Sequence, residues 1–104
     1  MSDKAIRQVL RRNIRANGEA VQLIKLVEEC GELVQAVSKL WIDGGSGGLS
    51  EDNIEHLAEE MADVEICMEE LRMIFTGLAD KEARWIDRKV QRLGVRQIVG
   101  SGTV

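Results

Sequence analysis

Not one proline occurs in this chain of 104 residues. Proline lacks the backbone donor that a helix interior needs and clashes with the preceding turn, so its absence leaves long helices uninterrupted. Apolar residues recur at helical rather than alternating spacing, and charged residues of both signs are spread along the chain, as in a globular composition rather than a disordered one. The expectation is an all-α fold in a single domain spanning residues 1–104.

Four helices can be placed. The first covers residues 3–16, with Ile6, Val9, Leu10 and Ile14 at helical spacing and arginines between them. Asn17-Gly18 ends it, since glycine readily takes the left-handed conformation that closes a helix. The second covers residues 19–42 and carries Val21, Ile24, Val27, Leu33, Val34, Val37, Leu40 and Trp41. A glycine-rich connection over residues 43–50 follows; it lacks the GK[ST] of a P-loop and so reads as a turn. Ser50 caps the third helix, with Glu51 and Asp52 in the first turn, where the helix dipole favours negative charge. That helix runs to residue 75 and carries Ile54, Leu57, Met61, Val64, Ile66, Met68, Leu71 and Ile74. Thr76-Gly77 interrupts, a fourth helix covers residues 80–93, and residues 97–104 form a loose tail.

The short glycine-rich connection makes helices two and three an antiparallel central hairpin in a four-helix bundle-like subunit. Both are apolar over more than one narrow stripe. In so short a chain this predicts burial on two sides, one within the subunit and one against a partner, hence a helical dimer or tetramer. A monomeric hairpin with some exposed leucine is the alternative.

The formal charge is −4 and no long basic run exists, which argues against nucleic-acid binding. Cys30 and Cys67 have neither CxxC spacing nor a histidine cluster nearby, so small buried thiols in a reducing cytoplasm are expected rather than zinc. The first residues lack the apolar stretch of a signal peptide, and no run approaches the roughly 20 apolar residues of a membrane span. No membrane partner is expected.

Acids inside otherwise apolar helices carry the chemistry. Glu28-Glu29-Cys30-Gly31-Glu32 lies mid-way along helix two, and Glu59-Glu60-Met61-Ala62-Asp63 mid-way along helix three. Residues three apart share a helix face, so each segment projects a carboxylate pair from one patch. Glu32 lies about ten residues, about 15 Å, before the end of helix two, and Glu60 about nine residues, about 13 Å, after the start of helix three. On an antiparallel hairpin the two patches meet at the same height. Gathered carboxylates repel one another, so a hard divalent cation such as Mg²⁺ or Mn²⁺ is the natural compensation. Gly31 and Ala62 would allow the close approach that leaves room for it. A solvated acidic face is the bland alternative. A di-iron site needs Glu-x-x-His, and the only histidine, His56, is not three residues after a glutamate.

Val27-Glu28-Glu29-Cys30-Gly31-Glu32-Leu33 followed by Glu59-Glu60-Met61-Ala62-Asp63-Val64 resembles the ExxE…ExxD signature of the MazG-like all-α NTP pyrophosphatase superfamily. Asn13-Ile14, Gly18 before Gln22, and Lys89-Val90-Gln91-Arg92-Leu93 extend the likeness to small phage and bacterial members, over roughly residues 6 to 96. The resemblance implies a homo-oligomeric, Mg²⁺-dependent enzyme that splits a nucleoside triphosphate into monophosphate and pyrophosphate, in a nucleotide-pool house-cleaning role. Glu29, Glu32, Glu60 and Asp63 would be metal ligands, with Glu29 also in the catalytic set. Glu28 would be an accessory acid that orients water. Lys89 and Arg92 would contact phosphates across a subunit boundary. Leu93 stands where longer members carry asparagine. Gln22 is a further candidate for base or phosphate contact, set against simple exposure near a helix start. Trp41 and Trp85 read as packing residues before base-stacking ones. Sibling readings are a dUTPase-type enzyme and phosphoribosyl-ATP pyrophosphatase; the competing class is a non-enzymatic helical dimerisation module.

Overall fold

In a computed structural model that describes residues 1–42 and 49–102, the chain is all-helical, with no strand among the described residues. It has four helices: α1 (Asp3–Asn17), α2 (Glu19–Ile42), α3 (Glu51–Ile74) and α4 (Leu78–Gly102). The expected glycine turn at residues 43–48 lies outside the described residues. None of the described helices is long and apolar enough to cross a membrane.

The helix ends follow local chemistry. The Ser2 hydroxyl accepts from the Ala5 amide at 3.1 Å, occupying one of the donors that a helix start leaves without a partner. The Ser50 hydroxyl does the same for the Asn53 amide at 3.2 Å, as its place before Glu51 and Asp52 predicted. Gly18, at φ +89°, donates its N–H to the Ile14 carbonyl and ends α1, and Gly77, at φ +85°, separates α3 from α4. Both φ values lie where a side chain would be strained. The helix-four boundaries need correction: α4 starts at Leu78 and continues to Gly102, so residues 97–102 are helical rather than a loose tail. No proline or capping motif stops it after Leu93, and Gly94 interrupts a helix only weakly when its neighbours propagate it.

The chain divides into two units, Met1–Ile74 and Phe75–Val104. In the first, α2 and α3 share the most extensive contact and α1 lies against both. Its interior is unusual. Among the described residues the buried apolar ones are Leu10, Ala36, Val64 and Cys67, and four polar ones are buried beside them: Gln22, Glu29, Glu60 and Glu70. On α2 the buried positions are Gln22, Glu29 and Ala36, spaced by seven; on α3 they are Glu60, Val64, Cys67 and Glu70, spaced by four, three and three. Each set is one helical stripe. The inward stripe is thus partly polar, and much of the apolar set expected to form the core faces outward. Val21, Ile24, Val27, Val34 and Val37 of α2 are exposed, as are Ile54, Met61 and Ile66 of α3, Val27 at 73%.

The second unit contains α4. None of its residues 78–100 is buried, and Trp85, Ile86, Val90 and Leu93 are all exposed. Trp85 is not packed away as expected: the Arg88 guanidinium lies over its ring at 5.3 Å, a cation–π contact.

Candidate metal centre

The inward stripes of α2 and α3 bring the four predicted ligands together. One carboxylate oxygen from each of Glu29, Glu32, Glu60 and Asp63 lies within 4.8 Å of the others. Glu29 and Glu60 are both 6% exposed, Asp63 is half-buried and Glu32 is exposed, so the cluster reaches from the helix interface to its surface.

Charge balance is poor. Among the described residues one cation reaches the cluster: Lys25, one turn before Glu29, whose Nζ lies 3.1 Å from Glu29 Oε1. That hydrogen bond, with the attraction of the same carboxylate, raises the Lys25 pKa. The second oxygen of Glu29, Oε2, is buried without a hydrogen-bond partner, and so is Oε2 of Glu60. A buried carboxylate oxygen left unpaired costs several kcal/mol unless a cation or a proton satisfies it. Repulsion from Glu29 first, and from Glu60 second, raises the Glu32 carboxyl above the ordinary glutamate range. With Lys25 committed to Glu29, the other three carboxylates would be an unstable arrangement with nothing else bound.

A hard divalent ion fits these donors. Opposite oxygens on a single Mg²⁺ with bonds of 2.0–2.1 Å stand about 4 Å apart, so a span of 4.8 Å needs only a small contraction. Oxygen-only ligands favour Mg²⁺, Mn²⁺ or Ca²⁺ over softer metals. Gly31 has no part in close helix approach, contrary to expectation: it is exposed, and a Cβ there would meet no atom within 4 Å.

The remaining predicted site residues are dispersed. Glu28 is exposed, outside the converging oxygens, and adds to the field that raises Lys25. Lys89 and Arg92 are exposed on α4, in the second unit. Arg92 lines a surface depression with Arg88, Gln91, Val95 and Arg96. Gln22 is neither exposed nor idle: it is buried, and its Nε2 donates to Glu70 Oε2 at 2.9 Å. Cys67 is buried as expected, and burial first, then the Glu70 charge, pushes its thiol pKa up. Cys30 is exposed, because it sits on the side of α2 away from the Gln22–Glu29–Ala36 stripe. His56 is half-buried, and the Trp41 side chain lies outside the described residues.

Three contributors are not among the expected site residues: Lys25 and Glu70, which carry no site signal in the sequence, and Asn13, which enters only through the family likeness. Glu70 is 2% exposed and receives Asn13 Nδ2 as well as Gln22 Nε2, both at 2.9 Å. With Lys25, Glu29 and Asp63, these residues line a cavity of about 360 Å³. The nearest thing to a signal for Glu70 is its spacing, seven residues after Asp63 and three after Cys67 on one stripe. The chain matches no protein-family model, no curated protein and no solved structure.

Proposed function

We propose that this chain is a Mg²⁺-dependent nucleoside triphosphate pyrophosphohydrolase of MazG-like type, which cleaves the bond between the α- and β-phosphates. One observation carries the reading: among the described residues, two buried carboxylate oxygens without partners belong to a cluster of four acids with a single nearby cation. A polar group at that cost is retained where it has a task, and the task these donors suit is holding a hard cation. That the cation serves triphosphate cleavage rests on the motif resemblance.

When bound, Mg²⁺ would neutralise phosphate charge and lower the pKa of a coordinated water. Glu29, Glu32, Glu60 and Asp63 would hold it. Lys25 holds Glu29 Oε1, which leaves Oε2 as the ligand oxygen. Glu28, on the exposed side, would orient the attacking water. Lys89 and Arg92 of a neighbouring subunit would bind the phosphates, the arginine fork being suited to two oxygens at once.

The central pair is proposed as an antiparallel hairpin. The contact of early α2 with late α3 through Gln22 and Glu70, together with the mid-helix meeting of the four acids, supports that register. The exposed valines of α2 and the exposed apolar residues of α4 support a homo-oligomer, which equilibrium sedimentation checks. Pyrophosphate release from a panel of nucleoside triphosphates, with Mg²⁺, Mn²⁺ or chelator, tests the activity. Metal-dependent release is expected. No release from any nucleotide, with a melting temperature indifferent to metal, would leave a helical association module as the better reading.

A further inference from the structure

Glu70 stands apart from the four-acid cluster, and nothing in metal binding accounts for it. It is the most buried glutamate of the chain, yet no lysine or arginine pairs with it among the described residues. Two side-chain amides hold it instead. Asn13 Nδ2 and Gln22 Nε2 both donate to one oxygen, Oε2. Asn13 is in turn fixed by Asn17, whose Nδ2 donates to Asn13 Oδ1 at 2.8 Å. The carboxylate is therefore pinned from two helices, with Oε1 left over as an acceptor. Gln22, having committed its amide nitrogen, keeps Oε1 as a second acceptor. Both residues line the cavity of about 360 Å³ that also reaches Glu29 and Asp63 of the acidic centre.

We infer that this cavity receives the nucleobase, and that Glu70 with Gln22 selects bases whose reading edge carries an exocyclic amino group. The inference rests on a triphosphate being held at the acidic centre, as proposed above. Glu70 lies seven residues after Asp63 on α3, a rise of about 10 Å. A ribose hydroxyl does not reach that far from its own α-phosphate, whereas the far edge of a base does. An amino N–H can donate to a fixed carboxylate oxygen. A keto oxygen in the same place would set lone pair against lone pair and leave both groups buried and unpaired, the mismatch that sites of this kind reject most strongly. Val21 and Ile66, which also line the cavity, offer apolar surface to the ring.

Two near-isosteric pairs test this: dCTP against dUTP, and dATP against dITP, each exchanging the amino group for a keto oxygen and the adjacent bare ring nitrogen for an N–H. The wild-type protein with Mg²⁺ should favour the amino member of a pair by at least about tenfold in kcat/KM, the scale of one charge-assisted hydrogen bond. Glu70→Gln, which can offer an N–H to a keto oxygen, should bring the ratio towards one. Equal kcat/KM within both pairs, or a preference that Glu70→Gln leaves unchanged, would overturn the assignment of Glu70 while leaving the hydrolase reading intact. Should Glu70→Gln fail to fold, the wild-type ratios alone decide between base selection and none. If no triphosphate is cleaved, the hydrolase reading fails, and calorimetric titration with dCMP and dUMP then judges the cavity. Tighter binding of dCMP supports it; equal binding, or none, overturns it.

Discussion

α3 and α4 are nearly the same length, 24 and 25 residues, and treat charge in opposite ways. α3 holds nine acids, Glu51, Asp52, Glu55, Glu59, Glu60, Asp63, Glu65, Glu69 and Glu70, against one arginine, and two of those acids are buried. α4 holds six basic residues, Lys81, Arg84, Arg88, Lys89, Arg92 and Arg96, all exposed, against three acids, none of them buried. The surface charges of α4 are solvated and cost little, whereas Glu60 and Glu70 gave up water when α3 packed on α2. Charge density does not mark a site by itself. Charge placed on the stripe that faces another helix does.

The contrast can be broken most sharply at Glu60. Glu60→Gln or Asp63→Asn should lower pyrophosphate release at least about 100-fold, the upper end of what even outer-shell substitutions cost at metal sites, while circular dichroism shows unchanged helix content. Without metal, Glu60→Gln should also melt higher than the wild type, because it removes repulsion that Lys25, paired with Glu29, leaves in place. Wild-type turnover in either variant would remove the ligand assignment.

A smaller effect belongs to α4. Lys89→Ala and Arg92→Ala should each reduce kcat/KM for the preferred triphosphate about 10-fold, the worth of one charge-assisted contact, with little change in melting temperature because neither side chain is buried. Unaltered kinetics in both would make α4 a purely solvated basic helix.

The smallest effect is on pH dependence. Glu32 has a raised pKa in the folded chain relative to the ordinary 4.5, so between those values the folded state binds more protons than the unfolded one. Its contribution to stability therefore falls as pH rises through that window, and is recovered on acidification. Metal-free protein should melt progressively lower as pH rises above 4.5, and Mg²⁺ should flatten the decline. A slope insensitive to Mg²⁺ would place its origin outside the cluster.

Much of the fold and half of the site are legible along the chain. Ser50 ahead of Glu51 and Asp52, Asn17-Gly18 and Thr76-Gly77 mark helix ends because capping depends on a few neighbouring residues. The i, i+3 pairs Glu29/Glu32 and Glu60/Asp63 are legible for the same reason: helical spacing places them on one face whatever lies opposite. The C-terminal end of α4 is not, since no local stop occurs between Leu93 and Gly102. Cys30 and Gln22 exchange their expected environments, because residue type predicts burial only on average and position on the inward stripe decides it.

Sequence alone determined the four helices, the boundaries at Gly18, Ser50 and Gly77 and the two acid pairs, because these rest on interactions within four residues of one another. Only the tertiary structure decided that the polar stripe of α2 and α3 faces inward while Val27 and its neighbours stay exposed. It also decided that Asn13, Gln22 and Glu70, separated by up to 57 residues, share one carboxylate. Burial and the pairing of distant groups depend on how helices pack, and no local spacing contains that information.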